Sequence, residues 1–172
     1  MDAISLLRQQ FQEAHQFVEM TMQDVTAEQA HWAPPGKASP LGANYAHLVT
    51  GEDFIIQGML KGGAPLAAAA GAGKVGVSEL PPQDGAWDQW ARQVKVDLPA
   101  LKQYAQSVYA ASDEYIASLT PDDLSRPLDL SAAGFGQQTM AFMLNIAVGH
   151  ANSHMGEISC LKGLQGAKGY PF

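Results

Sequence analysis

Apolar residues recur at helical spacing from the start of the chain. Ile4, Leu7, Phe11, Ala14, Val18, Met22 and Val25 form one stripe, with Arg8, Gln9, Gln12, Glu13, Gln16 and Glu19 on the other face. This pattern predicts an amphipathic helix that ends before Thr26. Thr26-Ala-Glu-Gln29 then has the capping-box arrangement, a hydroxyl followed three residues on by an amide side chain, so a short helical turn is expected up to Pro34-Pro35-Gly36. The spacing resumes with Leu41, Tyr45, Leu48, Glu52, Ile55 and Met59, behind Ser39 as a cap and Pro40 as a first helical residue. A second long helix to about Leu60 follows. From Lys61 to Gln83 the chain turns to Gly, Ala and Pro, which predicts a long mobile loop, a linker or a lid over a pocket.

A third stripe runs through Trp87, Trp90, Ala91, Val94, Leu98, Leu101, Ala105, Val108, Ser112, Tyr115, Ile116 and Leu119. Pro99 lacks the amide that would bond Lys95 and disfavours helix at Leu98, so a kink or break is expected at Val96 to Leu98. Thr120-Pro121-Asp122-Asp123 has the form of a new N-terminal cap, and a polar, Gly-containing connection leads through Gly136 to a last helix at about Gln138 to Leu164. No strand pair stands out. The expectation is therefore an all-α four-helix bundle made by one domain spanning residues 1–172.

Composition narrows the function. Ten Lys+Arg against 17 Asp+Glu give a net charge of -7, which works against binding nucleic acid. Cys160 is the lone cysteine, so neither an intrachain disulfide nor a thiolate zinc cluster can form. Met1 to Leu7 contains Asp2 and no basic start before an apolar block, and no apolar run approaches the roughly 20 residues of a membrane span. A cytoplasmic protein without membrane attachment is expected.

The chemistry lies in the last helix. Its apolar stripe is Met140, Met143, Ala147, His150, His154, Ile158 and Leu161, which puts two imidazoles one turn apart on the inward face. That spacing suits joint ligation of a metal, and equally a pair of neutral core histidines. His47 belongs to a stripe of Asn44, His47, Gly51 and Phe54 on the second long helix, where the glycine leaves room for an imidazole at a cost of roughly 1 kcal/mol in helix propensity. The alternative reason for Gly51 is a tight helix crossing. Three imidazoles would leave coordination positions open, as catalytic metal sites do.

His47 within Asn44-Tyr-Ala-His-Leu-Val-Thr-Gly-Glu-Asp, together with His150-Ala-Asn-Ser-His154-Met-Gly-Glu-Ile, resembles the DinB/YfiT-like superfamily. The resemblance implies a four-helix bundle in which His47, His150 and His154 bind a divalent metal ion, zinc or nickel. Glu157 stands where that family often has Gln, and is expected to act as a general base or as an acceptor behind a ligand. Relatives include thiol-dependent S-transferases, a maleylpyruvate isomerase and hydrolases. The implied function is a metal-dependent enzyme on a small-molecule substrate, S-transferase-like with a small thiol cosubstrate, or hydrolytic. The alternatives are a metal- or ligand-binding stress or sensor protein without turnover, and a scaffold whose histidines are core residues. A homodimer is implied as well, in keeping with apolar Tyr170 and Phe172 at the tail.

Other signals carry less. Gly71-Ala-Gly-Lys74 lacks the Ser or Thr, the upstream glycine and the preceding strand of a phosphate loop. His15, beside the first apolar stripe, is expected to be a partly exposed surface residue. His31 and Trp32 fall in the short corner, where Trp32 either walls a pocket or plugs the end of the bundle.

Overall fold

The computed structural model describes residues 1–82, 85–131 and 134–172. Helix α1 (Ala3–Met22) starts at Asp2, whose carboxylate accepts the Ser5 N–H at 2.8 Å. Thr26 and Gln29 close a reciprocal capping box on α2 (Ala27–His31). Helix α3 (Leu41–Asp53) begins after Pro40, and no side chain caps it, so the expected Ser39 cap does not form. Pro40 itself sits in extended geometry as the flanking residue. Helix α3 then continues without a break into a π-helical stretch, Phe54–Leu60.

Helix α5 (Trp87–Gln93) and helix α6 (Leu98–Ala117) are separate, because Asp97 adopts extended geometry and its side chain caps the Ala100 N–H. The interruption expected near Pro99 is thus a full break rather than a kink. The Thr120 corner opens a 3-10 turn, Asp122–Ser125, with Asp123 accepting both the backbone N–H and the hydroxyl of Thr120. Helix α7 (Met140–Leu164) is capped by the Thr139 hydroxyl. Among the described residues no helix is long and apolar enough to cross a membrane.

Two sequence expectations are corrected. Strand β1 (Pro127–Leu130) pairs antiparallel with strand β2 (Gly136–Thr139), with Pro127 opposite Thr139 and Leu130 opposite Gly136. Strand β2 reads Gly-Gln-Gln-Thr and has no apolar residue, so alternation could not announce it. The segment expected to be a long mobile loop, Lys61 to Gln83, instead carries helix α4 (Leu66–Ala70) and a 3-10 turn, Ala72–Val75. Its last residue, Gln83, lies outside the described residues.

Backbone hydrogen bonds, which composition does not reveal, hold this segment. Asp53, fully buried, accepts the N–H groups of Leu66 and Ala67, both at 2.9 Å, and the Tyr104 hydroxyl at 2.6 Å. Farther on, Val75 and Val77 are buried, Ser78 donates to the Lys95 carbonyl, and Trp90 Nε1 donates to the Glu79 carbonyl. Gly76 has φ +82° and lies so close to the start of α6 that a Cβ would stand 2.3 Å from the Leu101 nitrogen. Only glycine fits there.

Helix α1 packs against α6 and α7, and α3 packs against the same two helices. The apolar interior has two parts. One gathers Val18, Leu48, Val49, Val108 and Ile158, and the other Phe11, Ile55, Ile116 and Ala147. Between them lies a polar layer: His15 of α1 bonds both oxygens of Glu52 of α3, at 2.8 and 3.0 Å, and Ser112 of α6 donates to Glu52 at 2.6 Å.

Replacing Asp53 by Ala leaves two backbone donors and a phenol without their buried acceptor. The expected cost is about 3 kcal/mol in urea unfolding, with faster proteolysis of the α4 segment. An unchanged unfolding midpoint would show that Asp53 does not anchor the segment.

Candidate metal centre

The three histidines singled out by the sequence come together. His150 and His154 are one turn apart on α7, and His47 faces them from α3, with a ligand atom from each of the three all within 4.8 Å of one another. The rings are steeply inclined, at 68° for His47 to His150, 87° for His47 to His154 and 74° for His150 to His154, so they converge by their edges rather than stack. His47 Nε2 lies 3.1 Å from His150 Nε2. With bonds of about 2.1 Å, two nitrogens on one ion stand about 3.0 Å apart in octahedral and about 3.4 Å apart in tetrahedral geometry. The separation of this pair falls in that interval, and with His154 within 4.8 Å of both the three rings form a set that could hold a divalent ion.

Gly51 makes this possible in a way the sequence only half indicated. A Cβ on Gly51 would lie 2.8 Å from His150 Cε1. The room left by the glycine is therefore filled by the imidazole of the opposite helix, and not by that of His47. Trp87, the first residue of α5, packs against His47 with ring centroids 4.1 Å apart. Sequence reasoning did not place Trp87 here, and nothing in its spacing could have, because the contact joins two elements through the fold. Trp32 packs against the larger apolar cluster instead.

Burial, reinforced by repulsion from His150 and His154, lowers the His47 pKa to about 3. Burial and His154 lower that of His150 to about 4. Both rings are neutral at physiological pH and offer lone pairs, the state that ligation needs. His154 Nδ1 lies 2.7 Å from Glu157 Oε2, one turn farther along α7.

The sequence pattern of the DinB superfamily matches residues 10–158, a stretch that includes all three histidines. The chain belongs to the DinB superfamily. The crystal structure of a conserved protein from Enterococcus faecalis has a similar fold, with a TM-score of 0.79 and 21% identity over 95% of this chain and 97% of that one. No curated protein matches this DinB chain in sequence.

His15 and His31 of this DinB protein have structural partners. His15, expected at the surface, is only 8% exposed; it pairs with Glu52 and stacks on Tyr109 with ring centroids 3.8 Å apart. His31 bridges α2 and the α5–α6 break, with Nδ1 on the Ala27 carbonyl and Nε2 accepting the Val96 N–H. Cys160 is exposed and is not part of the three-histidine cluster. Lys74 lies within the 3-10 turn Ala72–Val75.

The lowered histidines set a pH dependence. Their folded values lie below the ordinary 6.5, so between about pH 4 and 6.5 the unfolded chain binds more protons than the folded one. Stability from the neutral pair is complete above pH 6.5 and drains away as pH falls toward their folded values. In chelator-treated protein the thermal midpoint is expected to drop through this window, and to drop less in a His47→Gln, His150→Gln double variant. Equal slopes in the two proteins would rule out these rings as the source.

Proposed function

We propose that His47, His150 and His154 hold one divalent ion, zinc or nickel, in a DinB-type four-helix bundle, and that the protein is a metal-dependent enzyme. The favoured reaction is S-transfer with a small thiol cosubstrate; hydrolysis is the other reaction such a site supports. The observation that carries this reading is the convergence of three imidazoles within 4.8 Å, two of them held neutral and 3.1 Å apart at their Nε2 atoms. Three neutral ligands leave at least one coordination position open, in contrast to the closed set of a structural site. An ion there supplies Lewis-acid chemistry, drawing a thiol or water toward its ionised form near neutral pH.

The chain's own residues prepare that position. Gly51 admits the His150 ring, and Trp87 covers one side of His47. Phe54, 45% exposed, continues the His47 and Gly51 stripe by one turn, and half-buried Ile146 precedes His150 by one turn. These apolar groups suit the organic part of a small electrophilic substrate. We also keep the homodimer as part of the proposal: Tyr170 and Phe172 form an exposed aromatic pair beside Phe17, a surface suited to self-association.

Purified protein is expected to carry one zinc or nickel equivalent per chain by elemental analysis, and His154→Ala to lose it. Turnover of a panel of thiols and electrophiles by the loaded protein then tests the enzymatic reading. Full metal content without any turnover would leave a binding or sensing role. Trp87 offers a direct reporter: Ni²⁺ should quench its fluorescence, and Trp87→Phe should lose most of that quenching.

Gly51→Ala separates folding from binding. Alanine favours the helix by about 1 kcal/mol, but its methyl displaces the His150 ring, so the variant should fold normally and bind metal at least ten times more weakly. Wild-type affinity in this variant would mean that the space at Gly51 serves packing alone.

A further inference from the structure

We infer that Glu157 is a positioning residue for the metal centre, acting through His154, and that it is not the base of the reaction. This inference rests on the proposal that the three histidines bind metal. A neutral imidazole carries one N–H, and the partner of that N–H decides which nitrogen keeps the lone pair. Glu157 Oε2 stands 2.7 Å from His154 Nδ1, so Nδ1 carries the hydrogen and donates it to the carboxylate. Nε2 is left with the lone pair.

Among the described residues, Glu157 is the one carboxylate hydrogen-bonded to any of the three rings. Helical spacing makes the contact inexpensive: residues three apart lie on one face, and both groups leave the same turn of α7. Two effects follow from a carboxylate in this place. It fixes the orientation of the ring, and it fixes the tautomer that leaves Nε2 free to ligate.

The same contact argues against proton abstraction by Glu157. Nδ1 and Nε2 flank Cε1 and their in-plane bonding directions diverge widely, so an oxygen bound at Nδ1 points away from an ion held at Nε2. The positions that an ion held there would leave open would lie on the Nε2 side. A carboxylate engaged at Nδ1 would have to give up its bond to His154 to take a proton from that side.

The test is a Co²⁺ titration of the full chain, followed by visible absorption, in wild type, Glu157→Ala, Glu157→Gln and Glu114→Gln. Glu157 side-chain exposure is 56%, so its variants should fold normally, which circular dichroism checks. Glu157→Ala is expected to bind Co²⁺ about 10 to 100 times more weakly. Glu157→Gln should recover most of that loss, because the amide oxygen still accepts from Nδ1. Glu114→Gln, which removes an exposed charge on α6, should match wild type. In the Co²⁺-loaded protein, a paramagnetically shifted, exchangeable N–H proton from His154 should appear for wild type and broaden or vanish for Glu157→Ala.

Wild-type affinity and spectrum in Glu157→Ala would overturn the inference. So would a Gln variant as weak as the Ala variant, since charge rather than orientation would then be the cause. Loss of turnover in both variants with Co²⁺ affinity unchanged would instead identify Glu157 as the base. Failure of the wild-type protein to bind Co²⁺ at all would refute the metal-site reading itself, an outcome distinct from each of these.

Discussion

The buried carboxylate of Glu52 is the constraint around which the helices are arranged. A polar group placed inside a protein costs free energy unless hydrogen bonds within the fold replace those it made to water. Glu52, 2% exposed, finds them in His15 and Ser112, which lie on α1 and α6. Consecutive residues on a helix point about 100° apart. With Glu52 committed toward α1 and α6, Gly51 faces His150 on α7, and Asp53 is turned toward Tyr104 and the start of α4. Three neighbouring residues thus tie α3 to its surroundings in three directions. The edge that faces the histidine cluster is oriented by groups that do not belong to it.

Helix α7 is held lengthwise by its ends. Thr139 caps the first turn, where β2 leads into the helix. In the last turn, Lys162 is 3% exposed and donates to the Thr21 carbonyl and to Asp24, at the end of α1. His150 and His154 lie between Ala147 of one apolar cluster and Ile158 of the other, in the gap that the Glu52 layer also occupies on the facing helices. The three-histidine cluster and the core polar residues therefore share one stratum, and apolar packing above and below keeps both from shifting.

Local signals were legible in the sequence, whereas contacts made through the fold were not. The capping box at Thr26, the amphipathic stripe of α1 and the His150 and His154 pair depend on residues within a turn of one another, and each formed as expected. His15 looked like a surface residue because its partner, Glu52, is 37 positions away on another helix. The α4 segment looked loose because its anchors are backbone amides bound to Asp53, and amides leave no mark on composition. His47 was found because Gly51 interrupts an otherwise good helix, although the space it provides turned out to belong to His150.

The π-helical turns from Phe54 to Leu60 bear on how chains of this kind can change in length. A π turn holds its i→i+5 bonds by accommodating more residues than an α turn, and so behaves as an insertion absorbed within a helix. Here the wide turns begin just after Gly51, Glu52 and Asp53 have been secured. A deletion of one residue between Phe54 and Leu60 could be taken up by tightening the coil, with the half that bears His47 left in register. Relatives lacking that residue would then keep the same histidine geometry, and an alignment gap at this point would record a change of helical pitch rather than the loss of a loop.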